Sequence, residues 1–408
     1  MLTDCREEGI LKSVSMSPAI SSEYVFDQLI PYIGNKRKLL PLIRRAIVRT
    51  GVRGGTFCDV FSGSTVVGRL AKNLGFSVIA NDWEHYSYHI GVAYIKLNSA
   101  PPFKAFGGVD SAVARLNSLD PMRGYIASHY CPMDDEYPDT QTERMFYTQE
   151  NGRRIDAIRE RIEEWKTSGL IDLDEESVLL SSLIFQCAYC SNTSGVFKGF
   201  HCGWGGATKT AWYRIRSVLT LKPPVFLDNG ATNSVYRMDA ASLFEDVSCD
   251  IAYLDPPYNQ HQYGSNYHLL NTVALWDKPS IGTRFEIRSK TNGKSAIRQD
   301  WLTERRSLYC YKSTATNAFH ELVQRTRARF ILVSYSTDGI IPFDDMLRIL
   351  AERGRLSVIT QRYKRYRVSS QRPSAKSHNT EFVAIVETGS PDEESNIRRV
   401  KAQVAVQD

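Results

Sequence analysis

Residues 56–82, TFCDVFSGSTVVGRLAKNLGFSVIAND, decide the fold. Thr56 to Phe61 is a short apolar run of strand length that stops at Ser62-Gly63-Ser64. Thr65 to Leu74 then spaces its apolar residues as a helix does, and Ser77 to Ala80 turns apolar again before Asn81-Asp82. A strand, a helix and a second strand in so few residues predict a parallel pair with a crossover helix. Gly63 lets the backbone come close to a bound ligand, with Phe61 beside it. Asp82 stands where a carboxylate can hold ribose hydroxyls. The turn lacks the G-x-G-x-x-G pattern, which argues against a dinucleotide, because a pyrophosphate wants the second glycine and the helix N-terminus.

Working outward, further strands are expected at Ser248 to Leu254, Ala328 to Ser334, Arg355 to Gln361 and Glu381 to Val386, with helical stretches between several of them. This alternation predicts a mostly parallel, helix-covered α/β sheet of the Rossmann-like kind. The stretch from Ser99 to Gly230 reads differently. Ile155, Ile158 and Ile162 recur at helical spacing within Asn151 to Trp165, and Asp174 is placed to cap the apolar helix that follows. Pro101-Pro102 and Pro223-Pro224 punctuate its ends. The expected organisation is a disordered arm over residues 1–22, a first catalytic part over 23–98, a helical insertion over 99–230, a second catalytic part over 231–390 and a polar tail over 391–408.

The chain has 408 residues and a net charge of +6. Its apolar runs are too short to span a bilayer, and its N-terminus lacks the apolar core of a secretory signal, so a cytoplasmic location is expected. Eight cysteines scattered over such a length predict free thiols. Cys187, Cys190, His201 and Cys202 raise the question of zinc. The first two fall in an apolar helical run, and the adjacent His201 and Cys202 cannot easily share one tetrahedral ion, so buried thiols are preferred. The segment from Arg353 to Lys376 is rich in Lys and Arg, contains no acid and interleaves Tyr363 and Tyr366, which suits contact with phosphates.

Chemistry concentrates at Asp255-Pro256-Pro257-Tyr258, directly after the apolar run IAYL. Strand ends of an open α/β sheet are where ligands collect. Neither proline has an N–H to offer, so the turn presents acceptors only. The Asp255 carboxylate and a proline carbonyl can each take one hydrogen of an amino group and leave its nitrogen lone pair free, while Tyr258 can stack on a base. A third string, Pro31-Tyr32-Ile33-Gly34-Asn35-Lys36-Arg37-Lys38, precedes the first strand. There Tyr32 could pack on a cofactor and Lys36 could pair with a carboxylate.

The order Tyr-Ile-Gly-Asn-Lys, Asp-x-Phe-x-Gly, Asn-Asp, helical insertion and Leu-Asp-Pro-Pro-Tyr resembles the Dam-like class of DNA adenine-N6 methyltransferases, over roughly Val25 to Val386. The run from Asn259 to His268 is similar to modification enzymes of restriction systems. One departure is the serine that follows Gly63, where many relatives carry a second glycine. The resemblance implies a seven-strand S-adenosylmethionine methyltransferase sheet with a reversed last strand and an inserted, mainly helical target-recognition domain. It implies a site-specific, adenine-specific activity on a flipped base in double-stranded DNA, S-adenosyl-L-methionine as cofactor, no metal, and a cognate restriction endonuclease as a possible partner. Tyr32, Lys36, Asp82 and Asp255 match cofactor-binding positions, Phe61 and Gly63 match the cofactor turn, and Asp239 is similar to the acid that meets the cofactor adenine. Asp255, Pro256, Pro257 and Tyr258 match the catalytic tetrapeptide. The alternatives are N4-cytosine or RNA amino-methylation by the same chemistry, a catalytically silent DNA-binding homologue, and a dinucleotide-dependent oxidoreductase. Specificity is expected from the insertion, and sequence-independent affinity partly from Arg362, Lys364, Arg365 and Arg367.

Overall fold

Each apolar run flagged in the sequence becomes a strand because it can be buried on both faces of one sheet. The computed structural model describes residues 21–206, 208–282, 294–364 and 378–405. Its strands are β1 (Thr56–Asp59), β2 (Ser77–Asn81), β3 (Ser234–Tyr236), β4 (Cys249–Leu254), β5 (Ala328–Ser336), β6 (Gly354–Lys364) and β7 (His378–Thr388). They lie in the order β3-β2-β1-β4-β5-β7-β6. Phe57 of β1 is in parallel register with Val78 on one side and Ile251 on the other. β7 runs antiparallel to both β5 and β6, so the last strand is the reversed one. The sheet is the expected seven-stranded α/β architecture. β3 was not foreseen, because it has three residues and none is fully buried.

Period-two alternation sends neighbouring residues to opposite faces. Phe57, Ile251, Tyr253 and Leu332 join one apolar cluster. Cys58, Ala252, Leu254 and Ile331 join the other. The first face is covered by the helices Leu40–Arg49 and Val66–Asn73, and helices between β2 and β3 extend the same apolar cluster. Among them Gln149–Thr167 buries Ile155, Ile158 and Ile162, and Leu173–Tyr189 buries Leu179 and Leu183. These side chains share the cluster of the sheet itself, and this helical layer begins ahead of Ser99 with His85–Gly91.

Two local expectations need correction. The cap of Leu173–Tyr189 is Asp172, not Asp174. Its carboxylate accepts from the N–H groups of Asp174 and Glu175, and Glu175 reaches back to the Asp172 N–H. Asp172 has the extended backbone of a cap, whereas Asp174 is already in the first turn. The stretch expected as a polar tail contains the helix Glu394–Ala405, whose Val400 and Val404 are buried on the second face beside Leu356. Four-residue spacing puts both valines on one side of a helix. At the other end, residues 1–20 of the expected arm lie outside the described residues. Ser21 and Ser22 already belong to structure, Ser21 capping the short helix Ser22–Phe26.

Candidate active site

β1, β2 and β4 are parallel neighbours and all end on the same edge of the sheet. The chain leaves β1 toward β2 on one side and has β4 on the other, which is the switch point where an open α/β sheet leaves a crevice. A cleft of about 420 Å³ opens there, within the roughly 300–1,000 Å³ usual for small-molecule sites.

The glycine turn after β1 is held from several directions. Gly63 has φ +49°, a left-handed conformation, and a Cβ there would stand 2.8 Å from the Tyr32 ring. Its N–H donates to Asp82 Oδ2 at 2.7 Å, and its carbonyl accepts from Ser87 Oγ at 2.8 Å. Beneath the turn, Asp59 accepts from the Gly68 N–H at 2.9 Å. Burial pushes the Asp59 carboxyl up to about 8, against the pull of that hydrogen bond.

Tyr32 is one of four packed tyrosines. Its ring stacks on Tyr267 at 4.8 Å, faces Tyr263 at 5.4 Å, and its hydroxyl meets that of Tyr86 at 3.2 Å. The Tyr267 hydroxyl accepts from the Ile33 N–H at 2.7 Å and so fixes the turn at Gly34. Gly34, at φ +74°, is where a Cβ would come within 2.9 Å of the Tyr258 hydroxyl.

The Asp255 carboxylate sits at the end of β4. Lys36 Nζ lies 2.9 Å from its Oδ1 and 5.0 Å from the centroid of the Tyr258 ring. Burial raises the affinity of Asp255 for a proton, and Lys36 together with a hydrogen bond from Ser334 works against that. Burial also penalises the Lys36 ammonium. Asp255, Tyr258 and Glu381 outweigh the penalty and hold Lys36 above the ordinary lysine range, so it stays charged.

The structure brings Tyr32, Phe61, Asp82, Asp239, Asp255 and Pro257 into the wall of one cleft. Lys36 and Gly63 stand just behind it, bonded to Asp255 and Asp82 respectively. Tyr258 flanks the cleft edge-on to Tyr335, and Pro256 is buried. Asp239 is exposed and accepts from the Ala241 N–H at 2.9 Å. Arg362 and Lys364 fall within β6, with Arg365 and Arg367 outside the described residues.

Sequence reasoning missed Glu84, Arg305 and Tyr309 in the same wall. Tyr309 meets the Phe61 ring edge-on at 5.3 Å. Glu84 is pushed up to about 7 by burial, against the pull of Arg305, and it accepts from the Asn271 side chain. At the rim, Arg305 donates to the Trp83 carbonyl at 2.8 Å, and its guanidinium lies 5.9 Å from the Trp83 ring and 5.7 Å from that of Trp301. Arg237 donates to His85 at 2.7 Å. Burial first, then the charges of Arg237, Arg305 and Arg298, push His85 down to about 3, which leaves a neutral imidazole able to accept.

This lining suits an adenosine-bearing ligand. Phe61, Met238 and Tyr309 offer apolar surface, Asp82, Glu84 and Asp239 offer acceptors for hydroxyl or amino groups, and Asp255 marks the end nearest the Pro-Pro turn. A profile for D12 class N6 adenine-specific DNA methyltransferases matches residues 32–335. The type II methyltransferase M.NlaIII of Neisseria lactamica is 33% identical over 361 residues, covering 87% of this chain and 98% of that protein. The type II methyltransferase M.FokI of Planomicrobium okeanokoites is 32% identical over 363 residues, covering 86% of this chain and 52% of that longer protein. The type II methyltransferase M.CviAII of Paramecium bursaria Chlorella virus 1 is 30% identical over 344 residues, covering 83% and 93%.

Proposed function

Because the chain belongs to the D12 class of N6 adenine-specific DNA methyltransferases, we propose that it is the site-specific modification enzyme of a restriction system, with the cleft at the ends of β1, β2 and β4 as its active site. The observation that carries this reading is the convergence of Asp255, Tyr32, Asp82 and Asp239 on that one cleft. They come from four separate stretches of the sequence.

S-adenosyl-L-methionine supplies the methyl group when bound. Asp82 and Glu84 hold its ribose hydroxyls, Asp239 and Phe61 its adenine, and Tyr32 its methionine side. An adenine in a duplex hides its N6, so the target base is flipped out to reach the cleft. Asp255 and the Pro256 carbonyl accept the two amine hydrogens. Asp255 also stabilises the positive charge that develops on the nitrogen, and Tyr258 stacks on the base. Lys36 pairs with Asp255 and favours its ionised form against the effect of burial. Orientation of the two reacting groups supplies much of the rate.

Residues 99–230 supply base recognition, because groove contacts need an element that can enter a groove. Backbone affinity comes from Arg305 in the cleft wall, from Arg237 next to the lining residue Met238, and from Arg362, Lys364, Arg365 and Arg367. Among the described residues no helix is long and apolar enough to cross a membrane. A cytoplasmic location belongs to this reading because the substrate is the DNA of the cell. A partner restriction endonuclease follows from the similarity to type II methyltransferases and from the run Asn259 to His268.

The test is to express the chain in cells without adenine methylation and sequence their DNA for modified bases and their context. Methylated adenines in one short motif, abolished by Asp255→Ala, are expected. Methylated cytosine, or full activity in a folded Asp255→Ala protein, overturns the reading.

A further inference from the structure

Both donors that reach the Asp255 carboxylate meet the same oxygen. Lys36 Nζ lies 2.9 Å from Oδ1, and Ser334 Oγ donates to Oδ1 at 3.0 Å. Among the described residues no hydrogen bond reaches Oδ2. A carboxylate is free to rotate about its Cβ–Cγ bond, so two donors converging on one oxygen fix which oxygen the cleft meets.

Ser334 is itself oriented. A hydroxyl has a single proton, and here the acceptor-only carboxylate takes it. The Tyr253 hydroxyl, 2.7 Å from Ser334 Oγ, must therefore be the donor in that contact. Ser334 and Tyr253 are both buried, at 2% and 1% exposure, so water cannot replace either partner. The strands set this geometry. Leu254 of β4 is in register with Val333 of β5, which puts Ser334 beside Asp255 across the parallel pair. Two-residue spacing places Tyr253 and Asp255 on the same face.

We propose that Ser334, oriented by Tyr253, is a positioning residue for methyl transfer: together with Lys36 it fixes Oδ1 of Asp255, so that Oδ2 is the oxygen presented to the target amine. The inference rests on Asp255 being the acceptor for that amine. Ser334 touches neither the base nor the methyl donor. It acts only through the carboxylate.

The experiment measures single-turnover methyl transfer from tritiated S-adenosylmethionine to unmethylated DNA, with binding of cofactor and of DNA measured separately. Losing a hydrogen bond to a charged group is expected to slow Ser334→Ala by about 10- to 100-fold. Cofactor and DNA affinities should stay near wild type. Ser334→Thr keeps a hydroxyl and should recover most of the rate, and Tyr253→Phe should show a smaller loss. The acid limb of the rate against pH should also move to higher pH in Ser334→Ala, because a carboxylate that loses a donor holds its proton more tightly. A folded Ser334→Ala protein with the wild-type rate and pH profile overturns the proposal. So does a loss of rate matched by a loss of cofactor binding. If Ser334→Ala does not fold, Tyr253→Phe decides by the same two readouts. Asp255→Ala separates the layers: if it is active, the assignment of Asp255 has failed, and if it is inactive while Ser334→Ala is fully active, only the positioning role has failed.

Discussion

Asp82 and Gly63 are joined by a 2.7 Å hydrogen bond from the glycine N–H to Oδ2 of the carboxylate. The other oxygen, Oδ1, accepts from the Glu84 N–H at 2.9 Å. The acid at the end of β2 therefore holds the glycine turn as well as facing the cleft. Its burial raises its affinity for a proton, and the N–H groups of Glu84 and Gly63 oppose that rise.

This double engagement separates two substitutions that the sequence alone treats alike. Asp82→Ala leaves two N–H groups without their acceptor and should cost about 1–3 kcal/mol of stability in addition to cofactor affinity. Asp82→Asn keeps an oxygen for the Gly63 N–H but turns an NH2 toward the Glu84 N–H, so it should lose less stability than Asp82→Ala while still binding S-adenosylmethionine more weakly, since it loses the charge offered to the ribose. Thermal unfolding and calorimetric titration of both variants check this. Equal unfolding temperatures for the two would refute the bracing role.

Gly63 makes a second prediction through Tyr32. Alanine there must accept φ +49° and place its Cβ 2.8 Å from the tyrosine ring, so the ring has to move out of its stack with Tyr267. Gly63→Ala should lose cofactor affinity by more than tenfold, and the added Tyr32→Ala change should relieve the clash while leaving affinity low. Titration of S-adenosylmethionine into the single and double variants measures it. Wild-type affinity in Gly63→Ala would show that the turn is not a close approach to the ligand.

The strands and the helical layer were legible in the sequence where burial is continuous. β1, β4 and β5 each end in a run of consecutive buried residues that is largely apolar, and Ile155, Ile158 and Ile162 announce their helix by spacing. β3 was not legible, because Ser234–Tyr236 is half exposed and has no pattern long enough to register. At the site, the glycine turn, Lys36 and Asp255 were visible as short motifs. What surrounds them was not, since Tyr86, Tyr263 and Tyr267 reach Tyr32 from positions far apart in sequence. Ser334 reads as the end of an apolar strand until β4 and β5 are paired. Local patterns encode local geometry, whereas side chains gathered by strand pairing leave no mark on their own stretch of chain.

Asp59 sets a pH dependence of stability. Its folded-state pKa is raised to about 8, mainly by burial, above the roughly 3.9 of an unfolded aspartate. Between those values the folded state binds more protons than the unfolded state, so this group's contribution is fully present at low pH and is lost as pH rises through about 8. Asp59→Asn cannot ionise and keeps an acceptor for the Gly68 N–H. The wild-type protein should therefore lose stability relative to Asp59→Asn as pH rises from 5 to 8. Unfolding temperatures of the pair at several pH values test the sign. A constant difference across that range would mean that Asp59 is ionised in the folded protein.

The last prediction concerns the rim. Arg237 donates to a neutral His85, and Arg305 donates to the Trp83 carbonyl while lying over two indole rings, so both guanidinium groups are held in place, and among the described residues no carboxylate is bonded to either. Arg305 lies close enough to disfavour the charge of Arg237, which is lowered by burial first and by Arg305 next. Holding like charges together costs free energy unless an anion sits between them, and the phosphates that flank a flipped nucleotide are the anions this family meets. Each phosphate contact removed should lower the salt slope of DNA binding by about one unit and weaken all sequences alike. Arg237→Gln with Arg305→Gln should therefore lower the slope by about two, leave the methylated motif unchanged and leave S-adenosylmethionine affinity near wild type. Binding to duplex DNA across a range of salt concentrations, alongside cofactor titration, reads both. If the double variant binds DNA as before but loses the cofactor, the arginines hold the methionine carboxylate and face inward rather than toward the duplex.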